Sequence, residues 1–200
     1  MGAFVDAREF LPLALQLKPS DKEFKRICRL NPDLRLERSA QGELLIMPPA
    51  SGESGYRNVE VAAPLSRWAK RDGRGVVFDS STGYRLPNRA IRSPDASWVL
   101  RNRLARLTKE QKQDFLPLCP DFAIEVRSGS DRLPALQDKM QEYIDNGAQL
   151  GWLIDPYERL VFLYRPGAAV EMLKKPARLS GAPELAGFVL SLAKIWKPDF

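Results

Sequence analysis

The chain has 200 residues, 44% apolar and 28% charged, with a net charge of +6 and no histidine at all. That size and balance suit one soluble globular domain and exclude a fibrous or disordered chain. The missing histidine removes Ser-His-Asp chemistry and most other hydrolytic schemes, and the two distant cysteines, Cys28 and Cys119, argue against a disulfide scaffold or a structural zinc site.

The apolar run at 10–17 is broken by Pro12 and Gln16 and preceded by Asp6, Arg8 and Glu9, so it makes a poor signal peptide. It is also shorter than the roughly 20 residues of a membrane span. The expected location is the cytoplasm. Further on, Ser20-Asp21-Lys22-Glu23 forms a capping-box pattern that predicts a helix over 21–30. Leu34, Leu36, Leu44 and Ile46 alternate about Ala40-Gln41-Gly42, which predicts a hairpin. The Pro48–Gly55 stretch reads as a loop, and 56–71 as a helix that Pro64 bends or delays.

Strands are predicted at 75–78, 84–86 and 95–100, followed by a short surface helix after Thr108 and a buried strand over 122–126. Leu133, Leu136, Met140, Tyr143 and Ile144 form one stripe, which predicts a helix over 133–146 ended by Gly147. Segments 150–154 and 160–164 pair about Asp155-Pro156, and the Pro-punctuated tail adds short strands up to Trp196. The expectation is a single domain over 1–200, with an N-terminal arm at 1–18, a core at 20–166 and an extension at 167–200. Its class is α/β: a mixed β-sheet flanked by helices, with additional β-hairpins at both ends.

Three short stretches carry chemistry. Asp95 opens one strand, Glu125-Val126-Arg127 closes another, and Lys139 sits on the helix that follows. Residues i and i+2 of a strand share a face, so Glu125 and Arg127 are expected to point together. Pairing that strand with the one behind Asp95 brings two carboxylates together, a hard-oxygen site suited to Mg²⁺ or Mn²⁺. Such a cation activates a water and neutralises phosphate charge. Arg127 reads as a phosphate clamp and Lys139 as the lysine that stabilises the phosphorane, with Gln137 near enough to reach inward. Glu43 or Glu60 is expected to complete the shell.

Between Arg85 and Lys112 there are eight basic residues and two acids, an excess equal to the whole net charge. Arg85, Arg89, Arg92, Arg101 and Arg103 are the expected DNA contacts around Asp95. The four tryptophans read as packing residues rather than base-stacking platforms.

Asp95, the 120–128 stretch Pro-Asp-Phe-Ala-Ile-Glu-Val-Arg-Ser, the 136–143 stretch Leu-Gln-Asp-Lys-Met-Gln-Glu-Tyr, Gly147 and Gly151-Trp152-Leu153-Ile154-Asp155 together closely resemble the Uma-two family of the PD-(D/E)XK superfamily. Gly42 to Pro48 and Gly83 to Pro87 are similar to its earlier landmarks, and the resemblance runs from about 20 to 166. It implies a restriction-endonuclease-like fold and a Mg²⁺- or Mn²⁺-dependent endonuclease of DNA. Asp95 and Glu125 are then metal ligands, Lys139 is a relocated catalytic lysine, and a homodimer is plausible for cutting both strands. Arg127 stands where the family motif has lysine, which supports an alternative: a nuclease-fold module that binds nucleic acid or a protein partner with little or no turnover.

Overall fold

The computed structural model describes residues 13–15 and 17–200, so most of the expected 1–18 arm lies outside the described residues. The elements run β1 (Leu13–Leu15), α1 (Asp21–Leu30), β2 (Arg35–Arg38), β3 (Leu44–Met47), α2 (Gly52–Asp72), β4 (Gly75–Asp79), β5 (Tyr84–Arg85), β6 (Ile91–Arg92) and β7 (Ala96–Leu100). Then come α3 (Arg101–Leu104), α4 (Lys109–Lys112), β8 (Phe122–Val126), α5 (Leu133–Asp145), β9 (Leu150–Asp155), β10 (Leu160–Tyr164), β11 (Glu171–Lys174), β12 (Arg178–Ser180), β13 (Val189–Ser191) and α6 (Ala193–Trp196).

The central sheet has six strands in the order β11-β10-β9-β8-β7-β4. Only β8 and β9 run parallel within it, joined by the α5 crossover, and every other pair is antiparallel. A five-stranded sheet, β1-β3-β2-β6-β5, stands beside it, and β12-β13 form a small hairpin near the C-terminus. This is the mixed sheet with helices and terminal hairpins that the sequence pattern predicts.

Helix α1 begins where Ser20 and Glu23 satisfy each other's backbone amides, the reciprocal capping box. Helix α2 differs from expectation. It starts at Gly52, because the Ser51 side chain accepts from the Ser54 amide and caps the first turn, and it runs on through Pro64. The segment read as a loop up to Gly55 is therefore partly helical. Helix α5 ends as expected, with Gly147 at a φ of 111° where a side chain would be strained.

The two faces of the central sheet are covered by different helices. Val61, Leu65 and Trp68 of α2 pack on Phe122, Ile124 and Trp152. Leu136, Met140 and Tyr143 of α5 pack on Val99, Ala123 and Leu153. Even-numbered residues of β8 thus face α2 and odd-numbered ones face α5, the two-residue period of a strand. Each large apolar side chain buried in these layers contributes roughly 1.5–3 kcal/mol relative to exposure. Trp68, Trp98 and Trp152 are core residues, with the Trp68 and Trp98 rings 5.8 Å apart.

Candidate active site

β7 and β8 pair antiparallel with Ala96 opposite Ile124. One step further along the same register sets Asp95 opposite Glu125, and residues directly opposite share a face and a short separation. The two acids are fixed in their own ways. Asp95 accepts the Val126 amide at 2.9 Å on Oδ2 and Asn58 Nδ2 at 3.1 Å on Oδ1, and Arg35 lies 3.9 Å away. Glu125 Oε1 accepts the Tyr143 hydroxyl at 3.0 Å and lies 2.8 Å from Lys139 Nζ. Among the described residues, no hydrogen bond reaches Glu125 Oε2.

Lys139 sits on the buried stripe of α5 because it is three residues after Leu136 and four before Tyr143. Its ammonium also lies 2.8 Å from Glu37 Oε1. Glu37, 3% exposed, comes from β2 in the other sheet. The Ser93 amide donates to Glu37 Oε1 at 2.9 Å, and Arg92 donates to its Oε2 at 3.2 Å. Arg92 also pairs with Glu142 at 2.5 Å.

These contacts set the protonation of the group. Burial pushes the Asp95 carboxyl up, with the Val126 amide opposing. Burial also pushes Glu125 up, to about 7, against the pull of Lys139 and with the Asp95 charge adding to the rise. For Glu37 burial acts in the same direction, but the Lys139 and Arg92 charges outweigh it and hold its carboxyl below the ordinary range. Burial disfavours the Lys139 ammonium, yet Glu125 and Glu37 raise its pKa overall, so the lysine stays charged.

All of these groups line one cleft of about 760 Å³. Its second wall is the β2–β3 hairpin, where Arg35, Glu37 and Ser39 face inward from one strand and Glu43, Leu45 and Met47 from the other side of the turn. Seven carboxylates and four cationic side chains line it, so the cleft is acidic. No group of three His, Cys, Asp or Glu converges among the described residues. The Asp95–Glu125 pair nevertheless fits Mg²⁺, which is held by one or two carboxylates and completed by water and phosphate. Soft-metal sites are built mainly from thiolate or imidazole ligands, and neither cysteine nor histidine lines the cleft.

Residues 21–193 match a protein-family model, Uma2, described as "Putative restriction endonuclease". The chain belongs to the Uma2 family. A solved structure from Anabaena variabilis, described as "a putative nuclease belonging to DUF820", has a TM-score of 0.73 and 23% identity to it. That similarity covers 88% of this chain and 96% of that one, and at this identity it shows the fold. No curated protein matches the chain. No helix among the described residues is long and apolar enough to cross a membrane.

In this Uma2 chain several expected site residues stand apart from the acids. Arg127 does not join Glu125. Strand β8 ends at Val126, and the Arg127 guanidinium turns to Asp155 Oδ2 at 2.8 Å and to the Asp131 carbonyl at 3.3 Å. Gln137 faces a shallow groove with Phe162 and Met172 on the other side of α5, not the cleft. Glu43 lines the cleft, but Glu60 does not and lies near Tyr56 and Lys194.

The basic cluster is also dispersed. Arg101 and Arg103 follow β7, whose five residues carry the chain about 17 Å from the Asp95 end. Arg103 is paired with Asp121 at 2.8 Å, and Arg101 donates to the Gly73 carbonyl at 2.9 Å. Arg85 lies 3.5 Å from Asp21, and Arg89 is exposed in a turn at a φ of 72°. Of the five, Arg92 alone lines the cleft, and it is committed to Glu37 and Glu142. Adjacency in sequence did not become one patch around Asp95, because a strand crosses the sheet between its members.

Proposed function

We propose that this Uma2 chain is a divalent-metal-dependent endonuclease that hydrolyses phosphodiester bonds of DNA. The observation that carries the reading is the cross-strand Asp95–Glu125 pair with the Lys139 ammonium 2.8 Å from Glu125, inside one cleft. Family membership supports nuclease function in general. The acidic lining supports the need for a cation, since a polyanion approaching uncompensated carboxylates is repelled.

Asp95 and Glu125, through its free Oε2, are the residues that would hold Mg²⁺ or Mn²⁺. Bound there, the cation supplies Lewis-acid chemistry that lowers the pKa of a water and offsets phosphate charge. Asn58 and the Val126 amide orient the Asp95 carboxylate, and the Tyr143 hydroxyl orients Glu125. Lys139 remains an ammonium and places positive charge where the phosphate gains negative charge. Arg35 and Arg132, at the cleft wall, are the cations available to the DNA backbone. Arg127 is proposed to act indirectly, by tying the end of β8 to Asp155.

Incubating supercoiled plasmid with purified protein and Mg²⁺ or Mn²⁺ tests the reading. Nicking that requires the cation and disappears in Asp95→Ala is expected. Equal nicking by Asp95→Ala would sink the assignment. One observation favours the binding-module alternative: Lys139 is already engaged by two carboxylates. That reading predicts salt-dependent DNA binding with no cleavage under any divalent cation.

A further inference from the structure

Each oxygen of Glu37 is held by a cation, so its charge is already neutralised on both sides. Oε1 receives Lys139 at 2.8 Å and the Ser93 amide at 2.9 Å, and Oε2 receives Arg92 at 3.2 Å. A carboxylate saturated in this way is a poor metal donor. It is well placed for a different task. An ammonium has three N–H donors and a flexible stem, so one partner alone does not fix its position. Lys139 has two partners on opposite walls of the cleft, Glu125 on β8 and Glu37 on β2, each at 2.8 Å.

Glu37 is itself immobilised. Arg92 bridges it to Glu142 on α5, and Asn88 holds the other Glu142 oxygen at 2.9 Å. The network ties the hairpin sheet to the helix that carries the lysine.

Resting on the nuclease reading above, we infer that Glu37 is a positioning residue: it holds the Lys139 ammonium between the two sheets, leaves its third N–H for a phosphate oxygen, and draws enough of it away from Glu125 to keep that carboxylate available to a cation. Without Glu37, Glu125 is the one carboxylate partner left to the lysine among the described residues, and the ammonium collapses onto it. Lysine and cation then compete for the same acid.

The test is a double-mutant cycle with a second readout that needs no activity. Glu37→Gln keeps the side-chain shape and an oxygen for the Ser93 amide. Cleavage by Glu37→Gln is expected to fall about tenfold or more in kcat with KM unchanged, the usual effect of removing a partner that orients a site residue. In a Lys139→Met background the same substitution is expected to cost almost nothing, because its effect runs through the lysine.

Acetic anhydride labelling, read by peptide mass spectrometry, reports the lysine directly. Lys139 is expected to label faster in Glu37→Gln, where one of its two opposite charges is gone, while exposed Lys22 labels equally in both proteins. Glu37→Asp, which keeps the charge but shortens its reach, is expected to fall between, and it serves should the glutamine variant fold poorly. Unchanged Lys139 labelling would overturn the inference. So would a loss undiminished in the Lys139→Met background. If the unsubstituted protein cuts nothing under any cation, the nuclease reading alone falls, and the labelling still decides where Glu37 holds the lysine.

Discussion

Strand β8 is buried on both faces, and the two faces are built from different material. Toward α2 it presents Phe122, Ile124 and Val126 to Trp152, Leu65 and Phe188, with the Phe122 and Trp152 rings 4.9 Å apart. Toward α5 it presents Ala123 and Glu125, and Glu125 meets a lysine, a tyrosine and, at the end of the neighbouring strand, an aspartate. Packing on the first face is nondirectional and stabilises the fold. On the second face charges are desolvated, and only their mutual geometry makes burial tolerable. One five-residue strand therefore separates a layer that holds the protein together from a layer proposed to act.

That contrast can be broken from either side. The largest effect is expected from Glu125→Gln on the polar face: cation-dependent cleavage falls by about 10²–10³-fold, the scale of losing a charged group that acts in the transition state, while the thermal midpoint does not fall. A plasmid-nicking time course at matched folded concentration measures it. The mirror experiment is Ile124→Ala. It removes a fully buried side chain from the apolar face and is expected to cost about 2–5 kcal/mol in urea denaturation, with cleavage per folded molecule unchanged.

A pH titration of stability sharpens the comparison. The Glu125 carboxyl sits near 7 when folded, above its ordinary 4.5. A raised carboxyl holds its proton more tightly in the folded state. Its stabilisation is therefore complete below 4.5 and is lost as pH rises through about 7. Asp95, also raised, acts in the same direction, whereas Glu37, lowered, acts in the opposite one, with Lys139 and Tyr143 as their neighbours. In metal-free protein, wild type is expected to lose about 2–3 kcal/mol more than Glu125→Gln across that window. Chemical denaturation at a series of pH values would show parallel curves if the polar face were electrostatically inert.

The smallest effect belongs to Tyr143→Phe. It deletes the hydroxyl that donates to Glu125 at 3.0 Å and leaves the ring packed. A loss of about 1 kcal/mol is expected, with a few-fold decline in cleavage. A neutral outcome in both assays would remove Tyr143 from the site.

The layered architecture was legible because local patterns repeat it: the capping box at Ser20, the apolar stripe of α5 and the alternation about Ala40-Gln41-Gly42 each specify an element without reference to the rest of the chain. The start of α2 was obscured by Pro48, Pro49, Gly52 and Gly55, which signal a loop unless the Ser51 cap is weighed against them. Asp95, Glu125 and Lys139 could be singled out from motif and order. Glu37 could not. Alternation sorts β2 into two faces, Leu36 on one and Arg35 with Glu37 on the other, and the charged face reads as solvent-facing. That face is roofed by the α5 layer, a fact carried by the packing of one sheet against another rather than by any local pattern. The same limit applies to the basic cluster, where nearness along the chain says nothing about which end of a strand each arginine occupies.

The pairing of Asp95 with Glu125 through the register of β7 and β8 has a consequence for how this site can change over time. Two acids held on a hydrogen-bonded ladder cannot drift apart in small increments. A single inserted or deleted residue within either strand shifts the pairing by one step and turns an acid from the cleft toward the α2 layer. Substitution can retune the chemistry of each position, but the spacing has only discrete settings. Lineages carrying this arrangement are expected to vary more freely in the exposed stretch at 108–114, around α4, while keeping the lengths of these two strands constant.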